Sequence, residues 1–324
     1  MTSDPVLWTA FMVAVLLVVG FLGPVFLRKA APALARVPRV AIALLVGGIL
    51  IWPAALVSLG LILAWVVSGP AILPRGAADV CQQCLAASNP FAVSAFDTRI
   101  PSAVLITVPV LVAAVGVAAI VMEYRGRVQR SRKAAEVVFD GATRRMIHGH
   151  AVSLVADERA WALAFSSRQG GIALSTGAVE RLGEEELTAV LAHEAAHLRQ
   201  RHHLVSDLAA SIATHLRWVP FIREAAAALP SYLEIAADDR ACRRAGTPAL
   251  VRALLVLGER TTPTGTAGPL LAAGPDRIPH LVSPAPSGRG YLPAAAASVQ
   301  LLALGAVSTV VFTSYAGALL TGCI

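Results

Sequence analysis

Residues 193–197 read His-Glu-Ala-Ala-His. Two histidines four apart on an α-helix lie on one face about one turn apart, so both imidazoles can reach a single metal ion. The HExxH pattern is that of a zinc site. Glu194, beside the first histidine, is placed to take a proton from water that a bound metal has made acidic. A catalytic zinc also needs a third protein ligand, normally from another element. Glu234 fills that place: it opens the run Glu234-Ile-Ala-Ala-Asp238. Asp238 falls on the same helical face, where its carboxylate can bond the outer nitrogen of a ligand imidazole and fix its tautomer. The expected cofactor is therefore one Zn2+ per chain, held by His193, His197 and Glu234, with Glu194 as the catalytic base. The competing reading is an amphipathic helix that carries two histidines and no metal.

The elements that must position these residues are legible in outline. The segment EEELTAVLAHEAAHLRQRHH has helical periodicity, with Glu184, Glu185 and Glu186 in the first turn, where the helix dipole favours them. An apolar segment follows at 204–229. Pro230, allowed at a first helical position, is expected to start the helix carrying Glu234 and Asp238, and Gly246 and Pro248 to end it. Upstream, β-branched patches in 136–167 and the run GGIALS (170–175) predict strands of a small sheet.

These elements sit in a chain of unusual composition. Of 324 residues, 56% are hydrophobic and 15% charged, where a soluble domain carries about a quarter charged residues; the mean hydropathy is +0.67. The apolar excess gathers into four runs, near 6–27, 40–67, 102–122 and 294–320, each long enough to cross a bilayer. None contains an Asp, Glu, Lys, Arg or His, which argues against a pump or transporter. The residues before the first run carry no Lys or Arg, so it reads as a retained helix rather than a signal peptide. The predicted organisation is 1–122 with three spans and an external loop at 68–101, a polar domain at 123–259, a Pro/Gly-rich linker at 260–293, and the last span. Arg28, Lys29, Arg36 and Arg39 after the first span, and Arg125, Arg127, Arg130, Arg132 and Lys133 after the third, place those segments and the domain in the cytoplasm and both termini outside. The net charge of +7 concentrates there, which suits anionic lipid better than nucleic acid. The expected setting is the cell membrane, multi-pass, with a protein or peptide substrate and no direct nucleic-acid binding; the oligomeric state is left open.

Other residues carry weaker signals. Cys81 and Cys84 form a CxxC in the external loop, where a disulfide is expected over two free thiols. Cys323 falls near the outer face, and Cys242 reads as a small buried residue. His202 and His203 read as a solvated helix end, His148 and His150 as an HxH without an evident partner, and Trp218 and Phe221 as anchors of an apolar segment. Tyr232, Arg240, Arg243 and Arg244 are the candidates for stabilising a developing oxyanion.

Three blocks carry a resemblance: GIALSTGAVERLGEEELTAVLAHEAAHLRQRHH, LRWVPFI at 216–222, and EIAADDRACRRAG. Together they resemble the gluzincin membrane peptidases of the BlaR/MecR-like family, and more distantly the HtpX-like and CAAX-processing enzymes, over roughly residues 150–245. The order of three spans, domain and fourth span is similar as well. The resemblance implies an α-helical membrane protein with four transmembrane helices and a mainly α (α+β) gluzincin-like zinc peptidase domain between the third and fourth. It implies zinc-dependent proteolysis, and a strand near 171–175 that either offers an exposed edge to an extended peptide or is a plain sheet strand. The antibiotic-sensing members carry a penicillin-binding domain after the fourth span, whereas this sequence reads only to Ile324, so no β-lactam sensor is expected. By analogy the substrate is a cytoplasmic protein such as a transcriptional repressor in a regulatory pathway. A protease of membrane-protein quality control and a non-enzymatic scaffold with a structural or vacant metal site are the alternative expectations.

Overall fold

The computed structural model describes residues 5–68, 70, 74–90, 96–97, 99–258 and 291–321. The chain enters as α1 (Pro5–Leu17), passes through a π-helical turn at Val18–Leu22, and continues as α2 (Gly23–Leu34). The first span was expected to end near residue 27. It runs through Arg28 and Lys29 to Leu34 instead, because Pro24 sits at a helix start where its missing N–H costs nothing. Next come α3 (Pro38–Val66), α4 (Arg75–Ser88) and α5 (Ser102–Phe139). Among the described residues, four helical stretches are long and apolar enough to cross a membrane: Thr9–Leu34, Pro38–Val66, Ala103–Phe139 and Leu292–Leu320. Outward Val108, Leu111, Val112, Val115 and Met122 are exposed, as a lipid-facing helix requires.

Two expectations about connections change. The external loop contains α4, held to the bundle by Trp65, whose indole N–H donates to Ser88 Oγ at 3.1 Å. The helix of the third span does not stop with the apolar run near residue 122: α5 continues through the basic stretch to Phe139, so residues 136–139, expected to begin a strand, are helical. Glu123–Arg127 and Arg132–Glu136 ion pairs, each spanning one turn, support that extension. The final span, α11 (Tyr291–Leu320), begins slightly earlier than expected. The linker expected at 260–293 lies mostly outside the described residues.

The polar domain opens with strands β3 (Thr143–Ile147), β4 (His150–Val155), β5 (Ala162–Ala164) and β6 (Ile172–Ser175), which follow a two-residue parallel pair, β1 (Val67–Ser68) and β2 (Phe96–Asp97). The β3–β4 hairpin turns at His148 and Gly149, whose φ values of 47° and 78° are the pair of positive angles that a tight two-residue turn demands. The sheet order is β3-β4-β6-β5, with β4 and β6 parallel and the outer pairs antiparallel. The strand near 171–175 is thereby hydrogen-bonded on both sides and has no exposed edge, which makes it the plain sheet strand of the two readings. Among the described strands of this sheet, β3 and β5 hold the edges, and β5 packs beside the helix that follows.

Ser175 caps the short α6 (Thr176–Arg181), its hydroxyl accepting from Ala178 N at 3.0 Å. Then come α7 (Glu184–Arg199), α8 (His202–His215), α9 (Pro220–Ala245) and α10 (Thr247–Gly258). Pro230 does not start a helix; Pro220 does, and Pro230 lies inside α9. Its lost backbone bond is tolerated because Ala225, Leu229 and Leu233 bury this stretch against the spans. One core joins Val152, Ile172 and Leu174 of the sheet to Leu187, Val190 and Leu191 of α7. Another joins Met12, Leu45, Ile49 and Trp52 of the spans to Phe221, Ile222 and Leu229 of α9.

Candidate metal centre

Helix α7 is fixed at its start by Glu186, whose carboxylate accepts the Gly183 amide at 2.8 Å and the Arg252 guanidinium at 2.7 Å. From there, Leu187, Val190 and Leu191 face the sheet, while Ala189 and Ala192 share a core of small residues with Ala241 of α9. Small side chains at a helix interface let the two backbones approach closely, and the polar side chains between them then converge.

His193 and His197, one turn apart on α7, bring their Nε2 atoms to 3.0 Å. Glu234 of α9 straddles them, with one carboxylate oxygen 3.3 Å from His197 Nε2 and the other 3.5 Å from His193 Nε2. A tetrahedral zinc with bonds near 2.0–2.1 Å sets its ligand atoms about 3.3 Å apart. The three residues form the one group of metal-ligating side chains found among the described residues, with ligand atoms all within 4.8 Å. Two imidazoles and a carboxylate form a donor set found at catalytic zinc, so spacing and chemistry both fit that ion. The centre is enclosed: His193 is 5% and Glu234 7% exposed.

The outer nitrogens are also engaged. His193 Nδ1 lies 3.0 Å from Asp238 Oδ1, and Asp238 is almost fully buried. Burial by itself pulls the His193 pKa down, but hydrogen bonds to Asp238 and Glu234 and the nearby charge of Glu194 outweigh it and raise the value to about 9. The influence of Glu194 there, and its 2% exposure, place its carboxylate inside the same enclosed space.

His197 is engaged by a residue that the sequence alone put on a solvated helix end. His202 is 4% exposed, and its Nδ1 sits 2.9 Å from His197 Nδ1, the rings at right angles. If His197 keeps its Nε2 lone pair for a metal, its Nδ1 carries the proton and donates to His202 Nδ1. His202 is then neutral with its own proton on Nε2, an atom buried without a hydrogen-bond partner among the described residues. Desolvation depresses the His202 pKa to about 4, in keeping with that neutral form. The contact depends on Arg201, whose left-handed backbone (φ 53°, ψ 40°) ends α7 and turns the chain back on itself. No periodicity signals such a reversal at a non-glycine residue.

The remaining candidates lie elsewhere or have other partners. His148 Nδ1 is 2.7 Å from Thr188 Oγ1 on α7. His150 has its pKa lowered by burial and by the charges of Arg244 and Arg199. Tyr232 is buried in the core shared with the spans, where desolvation raises its hydroxyl pKa. His203 is half-buried near Asp207. Cys242 is a half-buried free thiol rather than fully buried. Cys84 is disulfide-bonded, while the side chain of Cys81 and residue Cys323 lie outside the described residues.

Residues 128–236 match the model of Peptidase family M48. The matched stretch runs from the cytoplasm-predicted half of α5 through the sheet and α7 to just beyond Glu234, and so covers both histidines and the carboxylate between them. No curated protein and no solved structure matches the chain.

Proposed function

We propose that this chain is a membrane-embedded zinc endopeptidase that cleaves a protein on the cytoplasmic side. The observation that carries the reading is the convergence of His193, His197 and Glu234 at tetrahedral spacing beside Glu194, inside a stretch matching a metallopeptidase family. His193, His197 and Glu234 hold the ion. When bound, zinc lowers the pKa of water and polarises a carbonyl as a Lewis acid. Glu194 accepts the proton of the attacking water and passes it to the leaving amine nitrogen. Asp238 accepts the His193 Nδ1 proton and keeps Nε2 free for the metal; His202 does the same for His197. Edge strand β5, beside α7, is the place where an extended peptide adds to the sheet.

The cytoplasmic assignment draws support from both basic segments reaching the same elements. Arg28 pairs with Glu224 of α9 at 3.5 Å, and Arg127 donates to Thr214 of α8 at 3.2 Å. These helices and the two Arg-rich segments therefore share one side of the bundle, which the positive-inside rule puts in the cytoplasm. The finer reading, a regulatory enzyme acting on a transcriptional repressor, rests on the sequence resemblance.

The test is zinc content and cleavage of casein by the purified full chain in detergent, beside Glu194→Gln. The expected result is about one zinc per chain in both, with turnover in the variant lower by about 10²–10⁴-fold. A correctly folded wild type without zinc, or a variant as active as wild type, overturns the reading in favour of a scaffold.

A further inference from the structure

Strand side chains alternate between the two sheet faces. Val152, Ile172 and Leu174 point toward α7, so Ser153 and its directly opposite partner on β3, Arg144, occupy the other face. There, α5 and the loop after β5 flank an open groove of about 790 Å³ with Arg132, Glu136, Phe139, Ser153 and the exposed Arg144 and Arg168 in its lining. Arg132 is neutralised by Glu136 at 3.0 Å. Arg144 and Arg168 make no ion pair among the described residues. Ser153 is largely buried, and its hydroxyl, which makes no hydrogen bond among the described residues, opens onto the groove rather than being sealed in the core.

We propose that this groove binds a phosphate-bearing anion. Arg144 and Arg168 supply guanidinium forks suited to phosphate oxygens, and Ser153 donates its hydroxyl proton from the floor. Two guanidiniums without ion-pair partners match the charge of about −2 on a phosphate monoester and suffice for the single charge of a phosphodiester headgroup. The apolar run of α5 ends at Met122, and the groove begins at Val128, about 9 Å further along the helix. At that depth an anionic lipid headgroup and a soluble phosphate offer the same chemistry. The site is separated from the metal centre by the sheet and does not depend on the peptidase reading.

The experiment has two arms on the purified full chain. One titrates inorganic pyrophosphate by calorimetry in detergent. The other scores phosphatidylglycerol retained by native mass spectrometry after release from nanodiscs that contain it with phosphatidylcholine. Saturable pyrophosphate binding, weakened at least about tenfold in R144Q/R168Q and less in S153A, with zinc content unchanged, supports the site and a soluble ligand. Phosphatidylglycerol retention lost in the same double variant, without pyrophosphate binding, supports the site and a headgroup ligand. Arg168→Gln alone, in the loop outside the sheet, shows the same direction should the double variant unfold. Wild type that binds neither probe, or variants that bind as wild type does, overturn the proposal.

Discussion

At the candidate metal centre each imidazole has a partner behind it, and the two partners differ in kind. Asp238 is an anion that strengthens His193 as a donor, whereas His202 is a neutral ring that only orients His197. Replacing either partner leaves the ligands in place but loosens them. Asp238→Ala is expected to weaken zinc binding about 10–100-fold and His202→Ala about tenfold, as measured by competition with a chelating dye; His202→Gln, which keeps an acceptor, should recover part of the loss. Affinities equal to wild type would show that neither residue orients a ligand. The raised His193 pKa has its own consequence. With about 9 in the folded metal-free protein against 6.5 for an ordinary histidine, the interaction stabilises the metal-free fold fully below pH 6.5. That stabilisation is lost as the pH rises through about 9. At pH 7 the ring is protonated, so zinc must displace a proton. Calorimetry in buffers of differing ionisation enthalpy should register release of about one proton per zinc at pH 7, falling toward zero above pH 9. A release of zero at pH 7 would contradict the raised value.

At the scale of elements, the α7–α8 reversal is the joint that makes His202 part of the site. Arg201 adopts a left-handed conformation that costs an L-residue with a Cβ about 1–2 kcal/mol and glycine much less. Arg201→Gly is therefore expected to raise stability by up to about 1 kcal/mol, the gain being reduced by the greater freedom of glycine in the unfolded chain, with zinc affinity retained. Thermal unfolding of the two proteins compares them directly, and a destabilised variant would mean that the Arg201 side chain contributes more than its backbone costs. Helix α9 departs furthest from expectation. A proline beside the motif reads as a helix start, but Pro220 already begins the helix, and burial against the spans carries it through Pro230.

At the scale of the whole molecule, that same helix links the apolar helix bundle to the candidate metal centre. The Phe221 ring fills a notch between Gly23 of α2 and Gly48 of α3, where a Cβ would come within 2.8 Å and 2.5 Å of ring carbons. From Phe221, α9 runs without interruption to Glu234, about 20 Å along its axis. A wedge at the notch must shift the rod that carries the third ligand. Gly48→Val is expected to destabilise the chain by about 1–3 kcal/mol and to weaken zinc binding, although Gly48 touches no ligand. A variant with reduced stability but unchanged zinc affinity would show that docking of α9 in the bundle and geometry at Glu234 are independent.

Local chemistry and periodicity determined much of this protein in the sequence itself. Four apolar runs announce helices because lipid leaves a backbone few other choices, and His193, Glu194 and His197 announce a metal site because a helix turns once in about four residues. Glu234 and Asp238 were legible for the same reason, since their spacing is also one turn. Only the tertiary structure decided what depends on distant segments meeting. The order of strands, set by pairings across loops, removed the edge from β6 and left it to β3 and β5. A reversal at Arg201 carried His202 from an expected surface position to the back of His197. Packing against Gly23 and Gly48 seated α9 on the apolar helices and let it run past Pro230, which its own sequence would have stopped.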